Sequence, residues 1–378
     1  VSGPTQANEL EYEPGRPEDE PELRRLLREN PMPGAISISL EREPNFHLGA
    51  AIEGDIHQVF VGRLPGDARL VGLGSRAVRN AWINGEVRRL GYMGQARVDV
   101  AYRHIKGKVA AAFKMFREMH YAADNTPYYI GAIIADNEVA KRLFTTNKPG
   151  MPICREWAGM STLALPLWRR YRIPVSDRYT VRQASREDLP EIVDCLARNY
   201  AKFQFAPEWT ADDLTNPERT RGLSIENFRV AVKDGKIIGC LAIWDQQGYK
   251  QTVVRAYKGP VRVLRFLINL AAPLLGIPRL PPAGNPFSHA YLSHVAVDDL
   301  DGEVLRTLVA NAVNASAGQG YDYLTIGFAQ RNPQLDTVKR NFRHIEYRSI
   351  ICVFHFEDGV KAVDELDDRI PHVEIAVL

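Results

Sequence analysis

The run Val98-Asp99-Val100-Ala101-Tyr102-Arg103-His104-Ile105-Lys106-Gly107-Lys108-Val109 joins an alternating strand to an amphipathic helix through a basic turn that contains glycine. Backbone N–H groups at a helix start are free to bind what fills the turn, and the helix dipole favours negative charge there. Such a turn can hold a pyrophosphate. From Glu86 to Tyr121 eight cations stand against three acids, although the whole chain carries a formal net charge of only +2. A local patch on a near-neutral chain suits a compact polyanion better than a long nucleic acid.

A second run follows. Tyr128 to Ile134 reads as a buried strand, and Ala-Asp-Asn137-Glu-Val-Ala140-Lys-Arg-Leu-Phe144 as a short helix that Asn137 can cap. Around these runs the elements are legible. His57–Leu64 and Ala68–Ile83 alternate as strands, Asn84-Gly85 is a two-residue hairpin turn, and Arg88–Val100 is the next strand. Val109, Ala112, Phe113, Phe116 and Met119 recur at helical spacing, which predicts a helix over Gly107–Tyr121. The second half repeats the order: a strand over Tyr179–Ala184, a helix over Asp188–Tyr200, a hairpin over Lys233-Asp234-Gly235, a strand over Ala290–Val297, a helix over Glu303–Ala317 and a strand over Tyr323–Phe328. Ser349–Phe356 and His372–Leu378 read as closing strands.

The two runs, in this order and about thirty residues apart, resemble the GCN5-related N-acetyltransferase (GNAT) superfamily. Its pattern is Val-x-Pro-x-x-Arg-Gly-x-Gly at the end of the fourth strand. Val98, Val100 and Arg103 follow it with Val for Pro, while Lys106 takes the first glycine position and Gly107 falls one place late. Asn137-x-x-Ala140-x-x-x-Phe144 follows the family's Asn-x-x-Ala-x-x-x-Tyr/Phe. The resemblance covers roughly residues 10–167. It implies an α+β fold of two tandem GNAT-like domains, each a mixed, mostly antiparallel sheet flanked by helices. It also implies that acetyl-CoA or another acyl-CoA binds through Val98, Val100, Arg103, Lys106, Gly107, Lys108, Val109 and Asn137. The strand before the turn would splay from the next one and leave backbone groups for the pantetheine arm. In the second half, Asp298, Asp299, Asp301 and Glu303 stand where phosphates would lie. Acids there repel coenzyme A, so that half is expected to be a non-binding copy like those of tandem-GNAT proteins.

The family's usual Glu and Tyr have no counterpart. Gln95 stands where the carboxylate would sit, and Phe144 at the Tyr position. Tyr92, Gln95 and His294 are the catalytic candidates that remain. The N-myristoyltransferases, also tandem GNAT folds, use their C-terminal carboxylate as a base, and this chain too ends on an apolar run with Leu378. The implied function is an acyl-CoA-dependent N-acyltransferase, an N-acetyltransferase of a small-molecule or peptide amine, acting by direct attack in a ternary complex. The alternative is a non-catalytic acyl-CoA sensor or interaction protein.

Composition sets the frame. The chain has 378 residues, 45% hydrophobic and 25% charged, enough for about two cores. Residues 1–22, with four prolines, read as a flexible leader, 10–167 as the binding domain, 168–178 as a linker and 179–378 as the degenerate domain with an insertion over 249–287. Four scattered cysteines without a CxxC pair predict neither disulfides nor a metal site, and a cytoplasmic setting. Val261–Leu280 is apolar but broken by Arg262, Arg265, Asn269 and Pro273. It predicts no membrane span. It reads as a helix of about ten residues ending near Pro273, a core or lid element, with a surface for lipid or a greasy ligand as the other option. A homodimer interface is another use left open for the insertion.

Overall fold

Asn84 and Gly85 both take positive φ, 53° and 84°. That is the two-residue turn whose twist matches flanking strands, so the chain folds back on itself at this point. The computed structural model describes residues 10–64, 66–122, 126–145, 149–173, 176–275, 277 and 279–378.

The first half contains β1 (Glu11–Pro14), α1 (Glu20–Glu29), β2 (Ile36–Glu41), α2 (Ala50–Glu53), β3 (Ile56–Arg63), β4 (Leu70–Ile83), β5 (Glu86–Val98), α3 (Lys108–Ala122), β6 (Tyr129–Ile134), α4 (Glu138–Thr145) and β7 (Ile153–Pro166). The second contains β8 (Thr180–Gln183), α5 (Leu189–Tyr200), β9 (Ala206–Pro207), α6 (Ala211–Thr215), β10 (Phe228–Lys233), β11 (Lys236–Trp244), β12 (Gln251–Tyr257), α7 (Gly259–Leu275), β13 (His289–Val297), α8 (Gly302–Ser316), β14 (Tyr323–Ala329), α9 (Pro333–Asn341), β15 (Ile345–His355) and α10 (Val360–Asp364).

The two halves share one sheet, in the order β1-β3-β4-β5-β6-β15-β7-β14-β13-β11-β10-β8. This departs from two separate sheets. β15 of the second half lies between β6 and β7, and β7 of the first half pairs with β14. Each crossing strand is apolar where it is covered: Ile351, Cys352, Val353 and Phe354 of β15 are buried, as are Met160, Leu163, Ala164 and Leu165 of β7. Helices pack on the sheet through one face each. Phe113, Phe116 and Met119 bury the inner side of α3, and Leu305, Leu308, Val309, Ala312 and Val313 that of α8.

Several expectations are corrected. Residues 1–9 of the expected leader lie outside the described residues, but 10–22 are ordered structure: β1 pairs with β3, and α1 begins at Glu20. Positions 174 and 175 of the linker also lie outside the described residues. The closing run His372–Leu378 is not a strand; Ile375–Val377 form a 3-10 turn. The four cysteines, scattered in sequence, are free thiols that lie as two neighbouring couples, Cys154 with Cys352 and Cys195 with Cys240. α7 has 17 residues and runs through Pro273 rather than ending there. β2 went unread because its partner is β12, in the insertion more than two hundred residues away.

Candidate functional site

β5 and β6 run parallel and pair only at Gly91↔Tyr129 and Tyr92↔Ile130. Beyond Tyr92 they diverge. β5 stays paired on its other edge with β4 as far as Val98, and β6 with β15 as far as Ile134. The two edges that face each other therefore carry backbone N–H and C=O groups without ladder partners. A bulge accompanies the divergence. Gln95 takes φ 54°, and the β4–β5 register shifts between Leu73 and Ser75. A bulge bends its strand and increases its twist.

A cavity of about 340 Å³ fills the wedge. Tyr92–Arg97 form one wall and Gly131–Ile134 the other, with Asn137, Ala140 and Phe144 of the α4 region beside them. Arg42, Lys250 and Leu378 close the inner end. Tyr92 also lines a second, smaller cavity with Glu53, Arg79 and Glu374. It thus stands between the wedge and a small, mainly apolar cavity roofed by the second half.

The inner end is densely charged. Arg42 Nη2 donates to Glu53 Oε1, and His57 Nε2 lies 3.2 Å from Glu53 Oε2. Burial pushes the Glu53 carboxyl up, but Arg42 and His57 outweigh it and hold it at about 2. Lys250 Nζ donates to the Leu378 main-chain oxygen and lies 5.5 Å from the Tyr291 ring centroid. Burial, reinforced by Arg42, brings its ammonium down to about 8. Burial raises the Tyr92 phenol, which keeps its proton and remains a donor. This combination can polarise one reacting group and take a proton from another.

Of the residues expected to bind a cofactor, Asn137 lines the cavity, and its Oδ1 also caps α4 by accepting the Ala140 N–H at 3.1 Å. Val98, Val100, Arg103, Lys106, Gly107, Lys108 and Val109 do not line it. They form the turn that continues from the splayed end of β5 into α3. Gly107 takes φ 77°, which explains a glycine at that place. Lys108 Nζ donates to Ile105 O at 2.9 Å, while Arg103 and Lys106 are exposed. The positive patch is smaller than its sequence suggests. Arg88 pairs with Glu86, Arg89 with Asp55 and Arg117 with Glu357.

Among the catalytic candidates, Tyr92 and Gln95 face the cavity. His294 does not. It is fully buried against Trp209, Trp244 and Phe228, and burial lowers it to about 4 although Glu374 opposes this. Phe144 packs on Phe113 and Phe354 and brings no hydroxyl to the cavity it lines. Among the described residues no group of His, Cys, Asp and Glu could hold a metal ion.

The second half has a matching wedge. β13 and β14 are parallel and pair only from His289↔Tyr323 to Tyr291↔Thr325. Here the chain's own last residues lie against both strands. Glu374 Oε2 accepts the His294 N–H at 2.8 Å, and Ile375 packs where a Cβ on Gly327 would fall. Asp298, in the following turn, is paired with Arg198 and bonded by Asn199 Nδ2 at 2.8 Å.

No family model and no curated protein matches this sequence. Solved structures do match. The chain is similar to Saccharomyces cerevisiae N-myristoyltransferase with bound myristoyl-CoA and inhibitors, at TM-score 0.59 and 11% identity, over 99% of this chain and 88% of that one. It is similar to a GCN5-related N-acetyltransferase from Sphaerobacter thermophilus, at TM-score 0.54 and 12% identity, over 93% and 96%. The glucosamine N-acetyltransferase region of a fungal GH3 beta-N-acetylglucosaminidase matches at TM-score 0.61 and 12% identity, over 94% of this chain and 39% of that one. The chain has the tandem GNAT fold.

Within this GNAT fold, the sequence left Arg42, Glu53 and Lys250 unmarked. Arg42 lies between Glu41 and Glu43, and Glu53 and Lys250 stand outside both recognised runs. β2–β12 pairing brings Arg42 and Lys250 to the wedge with Leu378 beside them, and Glu53 joins them through Arg42.

Proposed function

We propose that this protein transfers an acyl group from an acyl-CoA thioester to an amine. The observation that carries the reading is the β5–β6 wedge, which pairs at two positions only and opens onto Tyr92 and Lys250. An extended pantetheine arm has its own amides for the two bare edges, and the exposed Arg103 and Lys106 in the turn after β5 favour a diphosphate there. The neighbours support this, since the yeast structures are described with myristoyl-CoA bound.

When bound, the thioester supplies an activated acyl carbon. This chain's residues do the rest. The unpaired N–H groups of the Met93–Arg97 edge stabilise the developing oxyanion. Neutral Lys250 takes a proton from the acceptor ammonium. As the C–N bond forms, the nitrogen passes its second proton to the Tyr92 oxygen, which gives its own proton to the sulfur as the C–S bond breaks.

A second reading is a non-catalytic acyl-CoA sensor, favoured by Gln95 and Phe144 where the family usually has Glu and Tyr. One experiment separates the two. Calorimetric titration with acetyl-CoA and a longer acyl-CoA is followed by thiol-release assays across an amine panel. One bound donor and amine-dependent thiol release support transfer. Binding with no release for any amine supports the sensor. Absence of binding overturns both.

A further inference from the structure

α7 is built inside out. Two of its polar side chains, Arg265 and Asn269, turn toward the protein. Asn269 Nδ2 donates to Leu280 O at 2.9 Å and Asn269 Oδ1 accepts the Leu280 N–H at 2.8 Å. Arg265 Nη1 donates to Pro281 O at 3.1 Å. Its apolar side chains turn toward water. Val263 is 80% exposed, Phe266 75%, Leu270 69% and Leu274 89%, with Leu267 beside them. Their spacing of three and four places them along one stripe of the helix. Exposed apolar residues scattered singly are ordinary, but a continuous stripe over several turns marks an interaction surface.

Charge identifies what covers it. Residues 246–297 contain no Asp or Glu. Lys258 and Arg262, at the start of the helix, are exposed and belong to no ion pair among the described residues. Two copies packed along this stripe would bring only like charges together. A lipid surface with anionic headgroups offers apolar depth and countercharge at once. The helix does not span. At 17 residues it is about 25 Å long, and no described helix is long and apolar enough to cross a membrane.

We propose that α7 is an interfacial helix that lies in the surface of an anionic bilayer. A single residue separates it from β12, and β12 pairs with β2, whose Leu40 and Glu41 line the wedge cavity. Docking therefore holds one rim of that cavity close to the membrane. The proposal rests on the helix alone and does not depend on acyl transfer.

The test is co-sedimentation of the full chain with vesicles of phosphatidylcholine, and with vesicles that also contain phosphatidylglycerol. The protein is expected to pellet with the mixed vesicles and to be released by salt. The double substitution Leu267→Glu, Leu270→Glu should lower the bound fraction about tenfold or more. Both side chains are exposed, so the thermal unfolding midpoint should stay unchanged. Arg262→Glu should weaken binding to the mixed vesicles alone. The proposal is overturned if the protein stays in the supernatant with both vesicles, or if the double variant binds as the parent does. It is overturned equally if light scattering finds a dimer that the double substitution dissociates, because the stripe is then covered by a second copy.

Discussion

Gln95 and His294 hold the same place in the two halves. Each takes a left-handed φ, 54° and 53°, three residues before a Val-Asp pair at the splayed end of its strand. One bulge opens onto a cavity, the other onto a wedge filled by residues 373–377. Donor binding should therefore be confined to the first half. Hydrogen exchange followed by mass spectrometry checks this. Amides of Met93–Val98 should gain protection when acetyl-CoA is added, while those of Leu292–Val297 should not change. A gain in the second stretch would refute the assignment.

In the proposed reaction Lys250 is the base and sets the pH dependence. As a base it works without its proton, so kcat/KM should rise with pH and level off above about 8. In Lys250→Met this limb should vanish, with activity down by roughly 10²-fold or more. A limb that persists in the variant would assign the proton transfer to another group.

Tyr92→Phe keeps the ring and removes the donor. Since Tyr92 faces the wedge without building the turn, acyl-CoA affinity should hold within about twofold while kcat falls by roughly 10²-fold. Stopped-flow binding and steady-state rates separate the two effects.

Lys106 is exposed in the turn, so Lys106→Ala should weaken coenzyme A binding by a few-fold, and less at high salt. Lys108→Ala should cost more, because it also removes the bond to Ile105 O. Calorimetry at two ionic strengths measures both. Equal losses would show that the turn does not depend on that bond.

Glu53 neutralises Arg42 in the interior, both nearly inaccessible to solvent. Glu53→Gln leaves the guanidinium without its countercharge and should cost about 3–5 kcal/mol of unfolding free energy by urea titration. A loss below about 1 kcal/mol would mean that the pair is better hydrated than its burial implies.

Local chemistry was legible in the sequence, and long-range pairing was not. The Asn84-Gly85 turn and the α3 and α8 stripes carry their own periodicity or turn residues, so their places followed from neighbours alone. The Val98–Val109 turn could be located in the same way. The wedge walls could be named, because Gln95 and Asn137 sit in runs with recognisable spacing. Lys250 and Glu53 could not. Their roles depend on β12 pairing with β2 and on the chain end folding back, contacts between residues far apart in sequence. His294 sits at the position corresponding to Gln95, yet Trp209 and Trp244 enclose it, and neither tryptophan adjoins it in the chain.

β15 inserted between β6 and β7 makes the two halves inseparable as folding units. A fragment ending after β7 would leave the outer edge of β6 bare and β7 flanked by nothing, two open hydrogen-bonding rows inviting aggregation. The β6 wall of the wedge is thus braced by a strand translated nearly two hundred residues later, so a substitution in the second half can reshape a cavity lined mostly by the first.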